Sequence, residues 1–265
     1  MYDATFSEVA GGLTRELRTQ IQEMMTVSHA LASSLAGNER MEQYLAVLNR
    51  AICSQLRLVR QVELDQRLNS PDEIRLSRAP VDLVILGRDV METADALTRP
   101  LLGIKAGFTA SQAALVTMAD GYVLREMLLY LLSESARAVG RGGDIRLKLD
   151  SRNGQAVFVL TDSGGGLAPA QAPPADVEDP ESMPWGLLLA HRIAALHGGT
   201  LITGSTEAGG VRAAVSIPIV ERERAGGILH SSGVRWETGG GWDPVLVGLS
   251  GCLPAEAFRP DRGRS

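Results

Sequence analysis

Apolar residues in the first seventy positions recur with helical spacing. Leu17, Ile21, Met24, Leu31 and Leu35 follow a 4-3-4-3-4 rhythm with Ser28 in the missing slot. Met41, Leu45, Leu48, Ile52, Leu56 and Val59 repeat the rhythm, the alternation that lays an apolar stripe along a bundle helix. The pattern predicts helices over 7–36 and 40–68. Ala36-Gly-Asn-Glu-Arg40 reads as a short turn between them, Gly37 suiting a left-handed cap, so the helices lie antiparallel. A lone hairpin leaves its apolar seams in water, and pairing with a second copy into a four-helix bundle covers them. A homodimer through residues 7–68 is the expectation.

After Asn69-Ser-Pro-Asp72, a linker by composition, the periodicity alternates. Ile74 to Leu83 reads as a strand, Val84 to Leu102 as a helix, Phe108 to Met118 as one or two short strands, and Gly121 to Val139 as a strongly apolar helix. Ile145 to Leu149 and Ala156 to Thr161 form a hairpin around Ser151-Arg-Asn-Gly154. Gly186 to His197 is helical, and Thr200 to Ser205 with Val211 to Ile217 makes a last hairpin across Glu207-Ala-Gly-Gly210. The pattern predicts an α+β fold, a mixed sheet with helices on one face. The glycine-rich tail reads either as a hairpin of Ile228–Trp236 with Pro244–Leu249 or as a mobile appendage. Three regions are expected: a helical hairpin at 1–70, a sandwich at 71–220, and an extension of unknown role at 221–265.

Composition narrows the function classes. A 45% hydrophobic chain of 265 residues has ample material for a core. A net charge of −5 offers no footprint for direct nucleic-acid binding. Cys53 and Cys252 match no metal spacing and fit a reducing compartment. No leader or membrane-length apolar run is visible, so a cytoplasmic protein without membrane association is expected.

The chemistry concentrates in Asp162-Ser-Gly-Gly-Gly-Leu167. A carboxylate at a strand end followed by Gly164 and Gly166 offers an acceptor for an adenine amino group, beside backbone that a base can approach without meeting a Cβ. With the helix Leu124–Arg137 before it and Leu196-His-Gly-Gly-Thr-Leu-Ile202 after it, this order resembles the ATP-binding domain of sensor histidine kinases, the Bergerat or GHKL family shared with gyrase, Hsp90 and MutL. The hairpin likewise resembles that family's dimerisation and phosphoacceptor element. The resemblance implies ATP and magnesium as ligands, a response regulator or another kinase as partner, and Tyr130, Glu134, Arg137, Asp162, Gly164, Gly166 and Gly186 as the nucleotide-site positions.

Several of those positions depart from the family pattern. Tyr130 and Glu134 stand where the resemblance places two asparagines, the second a magnesium ligand. A carboxylate at 134 is a hard oxygen donor able to hold magnesium, or it is a helix residue paired with Arg137 at i+3. Around Gly186, Pro184 and Leu188 occupy two of three glycine positions, and a leucine where the chain passes phosphate obstructs it. The would-be lid, Ala168 to Pro184, is acidic and holds no basic residue.

The stretch Arg15-Glu-Leu-Arg-Thr-Gln20 aligns with the family's His-Glu-Leu-Arg-x-Pro signature, placing Arg15 at the acceptor histidine. A guanidinium protonated at all physiological pH is no nucleophile. His29, in Val27-Ser-His-Ala-Leu31, is an alternative acceptor, but only about two turns separate it from Gly37. The expectation is therefore a pseudokinase or regulatory scaffold. The alternatives are a working histidine kinase that uses His29 or a partner's histidine, and a histidine-phosphotransferase-like relay.

Overall fold

The structure, a computed structural model, describes residues 4–69, 76–164, 185–205, 210–220 and 241–260. The chain divides into two compact units, Met1–Arg75 with Arg235–Ser265 and Leu76–Val234.

In the first unit, α1 (Ala4–Ser34) and α2 (Glu39–Asn69) form the expected hairpin. Gly37 turns the chain at φ +87°, where a glycine is favoured. Asn38 caps the next helix by accepting from the Met41 N–H at 3.2 Å. Contacts pair Arg18 with Glu63 and Ser28 with Asn49, the arrangement of antiparallel helices. The single stripe read from the α1 sequence is resolved into two. Ile21, Met25 and Ser28 are buried, whereas Leu17, Met24 and Leu31, spaced by sevens on the neighbouring face, are exposed by 37–40%. Exposed Met41, Tyr44, Leu48 and Leu58 continue an apolar seam on α2.

The C-terminal stretch belongs to this unit. Pro244–Gly248 is a short α-helix (α6), not a strand, and Ala255–Phe258 is a 3-10 turn. The Asp243 carboxylate accepts from the Val245 N–H at 2.7 Å, and Pro244 at the first helical position favours the helical φ. Both elements pack on α2. The other half of the proposed tail hairpin, Ile228–Trp236, lies outside the described residues, as do the Ser70–Asp72 part of the linker, Gly166, the lid and most of the Glu207–Gly210 turn.

In the second unit, β2 (Ile104–Ala110), β4 (Gly143–Arg152), β5 (Gln155–Asp162), β7 (Val211–Pro218) and β6 (Thr200–Ser205) form a mixed sheet in the order β2-β4-β5-β7-β6. The β2–β4 pair is parallel and the other pairs are antiparallel. A separate two-stranded ribbon pairs β1 (Ala79–Asp82) with β3 (Val116–Ala119). The helices α3 (Leu83–Leu102), α4 (Gly121–Val139) and α5 (Trp185–Leu196) cover the sheet. Leu147, Phe158, Leu160 and Val215 meet Met91, Leu128 and Leu131 in the core. Of the strand expected over 74–83, residues 74 and 75 lie outside the described residues and Ala79–Asp82 is strand; Leu83 opens α3 because the Asp82 side chain caps that helix, accepting from the Val84 N–H at 2.9 Å. The β4–β5 turn tightens to Asn153-Gly154, both at positive φ, the geometry a two-residue hairpin demands. Among the described residues no helix is long and apolar enough to cross a membrane.

Candidate functional site

Asp162 ends β5 and is 7% exposed. Its Oδ1 accepts from the Gly164 N–H at 3.1 Å, bending the chain immediately after the strand. Ser163 locks the same corner to β4. Its N–H donates to the Asp144 carbonyl at 3.0 Å, and its Oγ accepts from the Asp144 N–H at 2.9 Å. A Cβ on Gly164 would lie 2.8 Å from backbone atoms of Ala138 and Val139. The sequence reading assigned Gly164 to the approach of a base. The structure supplies a constraint that needs no ligand, because the corner is wedged against the last turn of α4.

On α4, Arg137 Nη1 donates to both carboxylate oxygens of Glu134, at 3.1 and 2.9 Å. The Glu134 side chain is 13% exposed, so the i+3 pair is formed close to the helix surface. Tyr130 is buried one turn earlier. Gly186, the surviving glycine near the start of α5, is buried against it, and a Cβ there would sit 3.4 Å from Tyr130 Cβ. These two positions thus lie within the contact between α5 and α4.

His197 stands at the corner between α5 and β6 and bonds to residues of two different helices. His197 is 4% exposed; its Nδ1 hydrogen-bonds the Ile193 carbonyl at 2.9 Å, and its Nε2 accepts from the Asp120 N–H at 3.2 Å. Those roles fit the neutral imidazole with its proton on Nδ1. Asp120 is the N-cap of α4, accepting from Val123 and, through its other oxygen, from the Ser77 N–H at 2.8 Å. An aspartate just before an apolar helical run was the available signal. Burial lowers the His197 pKa, and Arg78 adds to this, while the Ile193 bond and Asp120 act the other way. A Cβ on Gly199 would collide with the Ser216 carbonyl at 1.7 Å, so the corner requires glycine there.

In the hairpin unit, Arg15 is exposed and its Nε donates to the Gly11 carbonyl one turn earlier, at 3.2 Å. His29 is half-buried and stacked on Trp242.

The residues present fit an adenine nucleotide at one end only. Asp162 is a fixed acceptor at a strand end. Glu134 is engaged by Arg137, and Gly164 and Gly186 are used by internal packing. Among the described residues no cluster of three His, Cys, Asp or Glu is arranged to hold a metal.

Residues 119–221 match the family of histidine kinase-, DNA gyrase B- and HSP90-like ATPases. Over 229 residues the chain is 28% identical to the sensor histidine kinase ZraS of Salmonella typhimurium, covering 82% of this chain and 46% of that protein. It is 24% identical to the histidine protein kinase DivJ of Caulobacter vibrioides, covering 78% and 36%. It therefore spans less than half the length of these relatives. The fold is similar to that of full-length ShkA, solved in complex with AMPPNP, with a TM-score of 0.62, 22% identity, and coverage of 82% of this chain and 47% of that one. The sandwich unit is a GHKL-type ATPase domain. Over hairpin and sandwich together the chain is similar to sensor histidine kinases.

Proposed function

We propose that this protein is a cytoplasmic two-component signalling scaffold, a pseudokinase that keeps the histidine kinase framework without its phosphoryl-transfer chemistry. The observation that carries this reading is Arg15, which stands at the acceptor position and bonds back to its own helix. A permanent cation there has no lone pair with which to attack a phosphorus centre. Glu134 in its ion pair with Arg137 and the lost glycines around Gly186 support the same reading. The apolar seam of Leu17, Met24, Leu31, Met41 and Leu48 supports a homodimer in which a second copy completes a four-helix bundle. A response regulator or partner kinase docks along that helical stem.

An adenine nucleotide is the ligand class to test, since ShkA was solved with AMPPNP. Asp162, the site's fixed acceptor, would hold the adenine amino group. Nucleotide bound here tunes the geometry of the scaffold and is not consumed. Titration with a fluorescent ATP analogue tests the site. The expected result is saturable binding that is abolished in Asp162→Asn and little changed when EDTA replaces magnesium. Binding that requires magnesium would assign Glu134 to the metal, and no binding at millimolar ligand would remove nucleotide from the account. The reading of an active kinase using His29, or of a relay protein, has less support, because the His29 ring is stacked beneath an indole.

A further inference from the structure

His29 is the only histidine in the first seventy residues. Its ring stacks on the Trp242 indole, with centroids 5.8 Å apart and planes 27° apart. Trp242 is itself 4% exposed and leans on Phe258, which is fully buried. An indole this deeply covered requires the segment that carries it to be seated as well. Leu249 and Leu253, both at 0% exposure, supply apolar burial on either side of the chain reversal that follows α6.

A polar node fixes the register. Asn49, 2% exposed on α2, donates from Nδ2 to the Phe258 carbonyl at 3.0 Å and accepts from the Ser28 hydroxyl of α1. Three chain segments therefore meet at one buried amide. Any slip of the C-terminal segment strands buried donors and acceptors, and a satisfied polar node of this kind specifies one seating over others.

We infer that residues 242–258 form a built-in strap across the hairpin, and that reaction at the His29 imidazole is governed by whether the strap is seated. With the strap down, the indole covers one face of the ring, and close packing restricts the room for a substituent on a ring nitrogen. With the strap lifted, His29 stands on a helix surface open to an electrophile. The inference concerns the hairpin unit alone and holds whether or not nucleotide binds to the sandwich.

Diethyl pyrocarbonate tests it on the full chain. The reagent carbethoxylates a neutral imidazole nitrogen and releases carbon dioxide and ethanol. Modification of His29 is followed by mass spectrometry of the tryptic fragment that begins after Arg18. His29 in the native protein should react about tenfold more slowly than N-acetylhistidine, the protection conferred by a seat worth about 1.4 kcal/mol. Trp242→Ala should restore most of that rate. A native rate equal to that of N-acetylhistidine, or a rate unchanged in a Trp242→Ala protein that keeps its helical circular dichroism, overturns the inference. Should that variant unfold, the native protein decides by NMR. Cross-relaxation between the His29 imidazole and the Trp242 indole is expected, and its absence overturns the strap.

Discussion

Replacing His197 with alanine probes the joint between the corner after α5 and the start of α4. The change removes the acceptor for the Asp120 N–H and the donor to the Ile193 carbonyl, and it leaves a small void at a site 4% exposed. Stranding one buried amide costs about 1–3 kcal/mol, and the lost ring packing brings the total to roughly 2–4 kcal/mol. For a chain of this size that is a fall in Tm of about 5–10 °C. The pH dependence gives a second, independent reading. Burial holds the folded-state pKa of His197 below the ordinary 6.5. The neutral form is therefore favoured by folding, and its contribution is fully present above pH 6.5. Below that the unfolded chain binds a proton that the folded one resists, so stability falls as pH drops from 6.5 towards the lowered pKa. Arg78 and Asp120, the charged groups that bear on the imidazole, oppose and favour its protonation respectively. Thermal melts of wild type and His197→Ala across pH 5 to 8 test both readings. A Tm change below about 1 °C, or an acid-side loss of stability as steep in the variant as in wild type, would show that His197 does not hold this joint.

Three further outcomes follow from particular contacts. Gly164→Ala, whose Cβ would lie 2.8 Å from the α4 backbone, should destabilise the protein by about 1–3 kcal/mol without any ligand present, measured by urea unfolding; unchanged stability would return that glycine to a purely ligand-facing role. Burial pushes the Cys53 thiol up to about 12, so iodoacetamide at pH 8 should label the half-buried Cys252 and leave Cys53 intact in the native protein. The double variant Met24→Glu with Leu48→Glu places four charges in the interface of a dimer paired through the exposed seam and should sediment as a monomer where wild type is dimeric; a wild type that is monomeric at high micromolar concentration contradicts the proposed pairing.

Much of the fold is legible because it is built from long periodic segments. The two bundle helices and the final hairpin each bury one face through many residues, and the helix over Gly121–Val139 is buried nearly all round, so a long apolar pattern averages over local noise. Shorter pieces are set by single contacts that composition does not announce. Leu83 leaves its expected strand because the Asp82 side chain caps α3. Pro244-Val-Leu-Val-Gly248 has the β-branched residues of a strand, yet the Asp243 cap and packing on α2 make it helical. The glycine motif reads in the sequence as chemistry and not as packing. Nothing in Asp162-Ser-Gly-Gly reveals that α4 ends against the second position after the aspartate. The i+3 pairing of Glu134 with Arg137 was one of two readings the sequence allowed, and the structure contains that pair. Trp242 over His29 joins residues more than two hundred positions apart, a contact with no local signature.

The proposed pseudokinase keeps the kinase framework without phosphoryl transfer to its own hairpin. The most direct measurement incubates the purified 265-residue chain with γ-labelled ATP and magnesium and assays acid-labile, base-stable label on it. No such label is the predicted result, in wild type and in Trp242→Ala alike. Phosphohistidine that disappears in His29→Ala would contradict the claim and make this protein a working kinase with a displaced acceptor.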